Sequence, residues 1–192
     1  MLISGTIMAI DPSSTCTGYA VLAGLAPQDL LDAGRIVGSS GVSACAWVSP
    51  AARDWYGRVE LAACVRVASM MRDLSDVLSE WRPETIVVEV PSGKIGTGAK
   101  RGARGSLTTY GLAAGAIWEW SRRAIPAGRV LAVTERMWTR SAGSKRRRQL
   151  MVRAIYANRY DRSRDPGGDV ADAVGLGRWF LEVGHLAFLA DG

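Results

Sequence analysis

The sequence predicts an α/β domain, a central mixed five-stranded sheet flanked by helices, with element order βββαβαβαα. Three observations predict it. Short β-branched or apolar runs alternate with longer segments of helical period. The first three runs are joined by links too short to hold a helix, so they read as a meander. The chain has 192 residues, 48% of them hydrophobic, which is enough for one domain with a substantial core and too apolar for disorder.

Thr6–Ile10 reads as a short buried strand, Gly18–Leu22 as a second, and Leu30–Val37, ending at Gly38, as a third. Residues 39–56 are mixed in character and read as a loop or insertion. From Val59 onward, Leu61, Ala62, Val65, Ala68, Met71, Leu74, Val77, Leu78 and Trp81 recur at the three- and four-residue spacing of an amphipathic helix, and Pro83 stops it. Thr85–Val90 is a β-branched run, hence a buried strand, ended by Pro91-Ser-Gly93. Gly93–Gly105, rich in glycine and basic residues, reads as a loop, and Leu107–Ala124 as a helix rich in small residues. Val130–Val133 is the fifth strand. A basic helix spans roughly 145–160, and a last helix roughly 169–183, with Val170, Ala173, Val174, Gly177, Phe180 and Leu181 on its packing face. No repeat or linker divides the chain, so residues 1–192 are expected to form one domain with 184–192 as a tail.

Composition narrows the function. No apolar run approaches the ~18 residues of a membrane span, and Met1–Ile10 has no basic leader, so a cytoplasmic protein without membrane attachment is expected. Cys16, Cys45 and Cys64 are odd in number and not at zinc spacing, and His185 is the single histidine, so zinc is disfavoured and reduced thiols are expected. The net charge of +6 is unevenly spread. Residues 1–89 hold 6 Arg against 10 acids (−4), residues 90–164 hold 17 Lys and Arg against 3 acids (+14), and residues 165–192 hold 1 Arg against 5 acids (−4). A basic middle between acidic ends suits a polyanion lying across one surface, although a solvated face in an arginine-rich chain would look the same.

The acids carry the chemistry. Asp11 ends the apolar run Ile7-Met-Ala-Ile, and Glu89 lies inside Ile86-Val-Val-Glu-Val90. Asp169 and Asp172 open the last helix, where three residues turn about 300°, leaving the two carboxylates roughly 60° apart on one face. Acids in buried strands are costly unless neutralised, and four brought together repel one another without a cation. Oxygen ligands completed by water suit Mg²⁺ or Mn²⁺. Three of the acids also have a plainer reading: Asp11 as a turn former before Pro12, Asp169 as a helix N-cap, Asp172 as a first-turn acid on the helix dipole. Glu89 is harder to dismiss, because Glu is a poor strand residue.

Ala9-Ile-Asp11-Pro-Ser-Ser-Thr-Cys-Thr17-Gly18-Tyr19 resembles the opening strand–turn–strand of the RuvC-type Holliday junction resolvases, of RNase H-like fold. Val87-Val-Glu89 is similar to that family's second acidic strand, and Asp169-Val-Ala-Asp172-Ala to its terminal acid pair. Thr134–Val152, with Trp138, Gly143, Lys145 and Gln149-Leu150, is similar to its basic segment, so the resemblance covers about residues 6–183. It implies a structure-selective endonuclease that cuts four-way junctions or other branched DNA, with two Mg²⁺ ions (Mn²⁺ substituting) held by Asp11, Glu89, Asp169 and Asp172. A homodimer would present two sites to opposing strands. Lys94, Lys100, Arg101 and Arg104 would meet DNA near the branch point, and Lys145, Arg146, Arg147 and Arg148 would meet it nearer the cut, with Lys145 or Arg147 beside the scissile phosphate. Ser13 replaces a frequent glycine, and Ser92 stands where the family often has an aromatic wedge. Trp47, Trp55 and Tyr56 offer aromatics elsewhere. These departures suggest a divergent relative, of viral or mobile-element type, with looser substrate preference. A non-catalytic branched-DNA-binding relative and a transposase- or integrase-like core remain the alternatives. An actin-type ATPase is disfavoured by the glycine-poor turn after Asp11 and by the chain's length.

Overall fold

The computed structural model describes residues 5–13, 15–39, 58–91, 101–125, 129–157, 159–184 and 186. Strands β1 (Ile7–Pro12), β2 (Cys16–Leu22) and β3 (Leu30–Val37) form the antiparallel meander, with one 3₁₀ turn, Pro27–Asp29, ahead of β3. Helix α1 (Arg58–Trp81) leads to β4 (Thr85–Val90), which pairs parallel to β1. Helix α2 (Arg101–Ala124) leads to β5 (Arg129–Thr134), parallel to β4. Three helices close the chain: α3 (Glu135–Ala142), α4 (Lys145–Ile155) and α5 (Asp169–Trp179), the last running on into a π-helical turn, Phe180–Gly184. The sheet order is β3-β2-β1-β4-β5, a mixed five-stranded sheet.

Strand alternation assigns the two faces. Ile7 and Ala9 of β1, with Val87 of β4 and Val133 of β5, pack beneath Val170, Val174 and Leu176 of α5, Trp138 of α3 and Val152 of α4. Met8, Ile10, Ile86 and Val88 point the other way, onto Leu74 and Leu78 of α1 and Ile117 of α2. This is the period-two consequence of pleating: both strands are apolar on both faces because both faces are covered by helices.

The structure departs from the sequence reading in four places. Residues 101–105, expected in a loop, form the first turns of α2; Gly102 and Gly105 lower helix propensity without forbidding the helix. Helix α3 was not expected, because Met137 and Trp138 are the only large apolar residues in an otherwise polar segment. Helix α4 stops at Ile155 rather than Tyr160, where Tyr156 leaves helical geometry (φ −117°, ψ 35°) and both tyrosines turn into the core. Helix α5 is buried almost all round, from Val170 to Gly177, instead of along one stripe. The sheet covers one side and α4 the other. No helix of the described residues is long and apolar enough to cross a membrane.

Lys94, Lys100, Trp47, Trp55, Tyr56, Ser92, Cys45 and His185 lie outside the described residues, as do the side chains of Arg101, Arg104 and Cys64.

Candidate active site

Odd-numbered positions of β1 and β4 face α5, so parity alone turns Asp11 and Glu89 toward that helix. Their strands are parallel neighbours in register at Ile10 and Val88, and the two acids follow one residue later, at the carboxyl ends of both strands. Asp11 belongs to β1 and faces Gly18 of β2 across the ladder, so it is a strand residue and not the start of a turn. Gly18 is where β2 touches the start of α5. A Cβ added there would lie 2.1 Å from the Asp169 carbonyl oxygen, so any side chain would push the helix away from the strand ends.

Helix α5 begins at Gly168, whose φ of +76° is the left-handed conformation that glycine adopts at least cost. The capping carboxylate is that of Asp165, which is buried and accepts from the backbone N–H of Val170 (3.1 Å) and Ala171 (3.0 Å) and from the Tyr160 hydroxyl (2.8 Å). Asp169 is therefore not the N-cap, and neither it nor Asp172 is needed to satisfy the helix's first amides.

The two helix acids are met by cations. Asp169 accepts from Arg35 Nε at 3.1 Å, Lys145 Nζ at 3.3 Å and the Cys16 thiol at 3.1 Å. Asp172, its side chain 8% exposed, accepts from Arg148 Nε at 2.6 Å and Lys145 Nζ at 3.1 Å. Burial would raise the Asp169 carboxyl, but the Cys16 thiol, Lys145 and Arg35 outweigh it and hold it below the usual range. For Lys145 and Arg148 alike, burial works against the charged form, while hydrogen bonding to Asp172 and its charge prevail and strengthen proton retention.

The strand acids differ. Glu89 is buried and accepts from the Trp138 indole N–H at 2.7 Å. Asp11 is pushed well above the usual carboxylate range, first by burial and then by the charges of Glu89, Asp172 and Asp169, with Lys145 opposing. All four sequence-predicted acids are thus electrostatic neighbours around Asp11.

Among the described residues no three His, Cys, Asp or Glu side chains are set to hold a metal ion as they stand, and Lys145, Arg148 and Arg35 occupy the carboxylates of α5. The donor chemistry nonetheless fits a hard divalent cation: four carboxylates converge from two strand ends and one helix start, and burial together with the charges of the other three raises the Asp11 carboxyl well above its usual range.

The basic run 145–148 divides. Lys145 is 44% exposed on its side chain and touches both helix acids. Arg146 and Arg147 point into solvent. Arg148, expected among the DNA-contacting cations, is instead buried: its guanidinium donates to the Gly143 carbonyl at 2.6 Å and stacks 4.9 Å from the centre of the Trp138 ring. Helical geometry is the reason, since Arg148, Gln149 and Val152 share the face turned to the core.

Sequence reasoning missed Arg35, Cys16, Trp138 and Asp165. Arg35 and Cys16 reach Asp169 across more than a hundred residues of chain and have no local signal. A lone tryptophan in a polar segment and an acid four residues before the helix were visible signals for Trp138 and Asp165.

Comparison with solved structures settles the architecture. The chain overlays Thermus thermophilus RuvC in complex with a Holliday junction substrate at TM-score 0.60, with 19% identity over 94% of this chain and 96% of that one. The chain has the RuvC fold. A second Thermus thermophilus RuvC structure overlays at TM-score 0.55, with 20% identity over 95% of this chain and 96% of RuvC. No protein-family model matches the sequence, and no curated protein sequence does.

Proposed function

We propose that this chain is a Mg²⁺-dependent endonuclease that resolves Holliday junctions or other branched DNA. The observation that carries the reading is the convergence of Asp11, Glu89, Asp169 and Asp172 at the carboxyl ends of β1 and β4, in a fold shared with a RuvC bound to a Holliday junction.

Asp11, Glu89, Asp169 and Asp172 would hold the metal, with Asp11 the acid that feels the charge of the other three. Two divalent ions there would supply an activated water and a counter-charge for the leaving 3′-oxygen. The chain's own residues do the rest. Lys145 reaches both helix acids and is partly exposed, which supports it over Arg147 as the residue that would meet a phosphate entering the site. Arg146 and Arg147, on the exposed face of the same helix, would hold flanking phosphates. Arg35 and Cys16 keep Asp169 turned toward the strand ends. Paired nicks on opposing strands require two such sites, hence a homodimer.

One observation favours a second reading, a non-catalytic branched-DNA-binding relative: internal cations already neutralise both helix acids. Cleavage of a labelled four-way junction in Mg²⁺, beside linear duplex and a Y-fork, separates the two. Paired nicks that disappear in Asp11→Asn support the nuclease. Binding without cleavage in both Mg²⁺ and Mn²⁺ would establish the second reading instead.

A further inference from the structure

We infer that Trp138 and Arg148 act as one buried bracket that positions Glu89 and Asp172, so that two acids from different elements are held in a fixed relation. The inference rests on the nuclease reading of the four acids and adds to it two positioning residues.

The bracket is built from both sides. Trp138 is fully buried on α3, and its indole N–H donates to Glu89 Oε2 at 2.7 Å. On one face of the ring lies the Arg148 guanidinium, 4.9 Å from the ring centre. On the α5 side the ring approaches Gly175, where an added Cβ would lie 3.0 Å from Cζ3. The ring is thereby enclosed, and its N–H direction is set by packing. Arg148, stacked on that ring and tied to the Gly143 carbonyl at 2.6 Å, presents Nε to Asp172 Oδ1 at 2.6 Å. A shift of the ring therefore moves the supports of both acids.

The chemistry of the two supports differs in a way that suits the site. An indole N–H is neutral and can only donate, so it orients Glu89 without cancelling its charge. Asp172, beside it, is both oriented and neutralised by Arg148. The Glu89 carboxylate is thus prevented from turning away. Outer hydrogen-bond partners of metal-ligating carboxylates typically govern affinity or activity by about 10- to 100-fold.

The test is Trp138→Phe in the full chain, read by Mn²⁺ titration of metal-free protein (free Mn²⁺ followed by electron paramagnetic resonance), by four-way-junction binding in EDTA and by cleavage. The expected result is Mn²⁺ affinity lower by roughly tenfold or more, junction binding unchanged, and cleavage reduced. In a Glu89→Ala background, Trp138→Phe, which keeps an aromatic ring under Arg148, should add little further loss of Mn²⁺ affinity, because the N–H it removes acts through Glu89; a loosened core would add its loss in full. Should the phenylalanine variant fail to fold, placing the benzothienyl analogue of tryptophan at position 138 alone keeps the ring shape, removes only the N–H, and should give the same loss. Equal Mn²⁺ affinity in wild type and variant, or no Mn²⁺ binding by wild type, overturns the bracket. Weaker Mn²⁺ binding by the variant in a wild type that cuts no DNA supports the bracket and sinks the nuclease reading.

Discussion

The acids contributed by the strands and those contributed by the last helix occupy one site but live in opposite electrostatic conditions. Asp169 and Asp172 sit at a helix N-terminus and are matched by Arg35, Lys145 and Arg148, with Asp169 held below the usual carboxylate range. Asp11 meets burial and three like charges, opposed chiefly by Lys145, and is pushed well above that range. The folded chain therefore pairs the helix half of the cluster with its own cations, and leaves Asp11 facing more negative than positive charge. That asymmetry locates where an added cation would act most strongly: on Asp11, at the junction of all four acids.

The largest expected effect comes from removing the acid that faces the most like charge. Asp11→Asn should lower junction cleavage by on the order of 10³-fold or more, since a metal ligand can be worth several kcal/mol in the transition state. The same variant should be more stable than wild type in EDTA, by about 2–8 °C in Tm if relief of repulsion is worth ~1–2 kcal/mol. Reduced cleavage with a lowered Tm would contradict the comparison, because it would make Asp11 a structural asset. The pH dependence has a definite sign. The folded-state pKa of Asp11 lies above its unfolded value, so over the interval between them the folded state holds a proton that the unfolded state has released. Stability of the metal-free protein should therefore contain an Asp11 contribution that is lost as pH rises from the ordinary carboxylate value, about 3.9, through the raised folded one. Asp169 has the opposite sign: its depressed folded pKa contributes stability that is present above the unfolded value and lost as pH falls through the folded one. Thermal melts of wild type and Asp11→Asn across this range separate the two, and parallel curves would count against the assignment.

Breaking the compensated half should instead cost stability. Arg148→Met leaves Asp172 buried with only Lys145 facing it among its ion-pair partners. Loss of one partner from a buried pair typically costs about 3–5 kcal/mol; with Lys145 still in place the lower end is expected, roughly 6–12 °C in Tm. Replacing Asp172 by Leu in the same chain should restore much of that loss, because apolar residues of similar volume often replace a buried pair without penalty. An unchanged Tm in Arg148→Met would mean that the pair is solvated.

How far this asymmetry is visible in the sequence follows from the range of the interactions involved. The strands at 30–37 and 85–90 and the helix ending at Trp81 were legible because β-branched runs and helical spacing are local. So were the four acids, as charges interrupting apolar segments, and strand parity alone puts Asp11 and Glu89 on one face. The partners were not legible. Cys16 and Arg35 reach Asp169 from neighbouring strands, an approach set by sheet order and by the clearance at Gly18. Arg148 looked like its neighbours in composition, and only the phase of α4 against α5 makes it a core residue. That phase was partly readable from Val152, one turn on, which lies on the same buried face.

The smallest expected effect tests that same phase. Arg146 and Arg147 adjoin Arg148 in sequence yet face solvent, so on the proposed function they interact with DNA and not with the acids. Arg146→Ala and Arg147→Ala should each leave stability within about 0.5 kcal/mol of wild type, as exposed substitutions do. Each should weaken junction binding modestly and lower the slope of log affinity against log salt by about one, as expected when one fewer phosphate is neutralised. Binding measured at several salt concentrations gives the slope directly. An Arg147→Ala variant with the slope of wild type would remove that residue from the DNA surface. One that melted like Arg148→Met would show that α4 is rotated about its axis, so that Arg147 and not Arg148 faces Asp172.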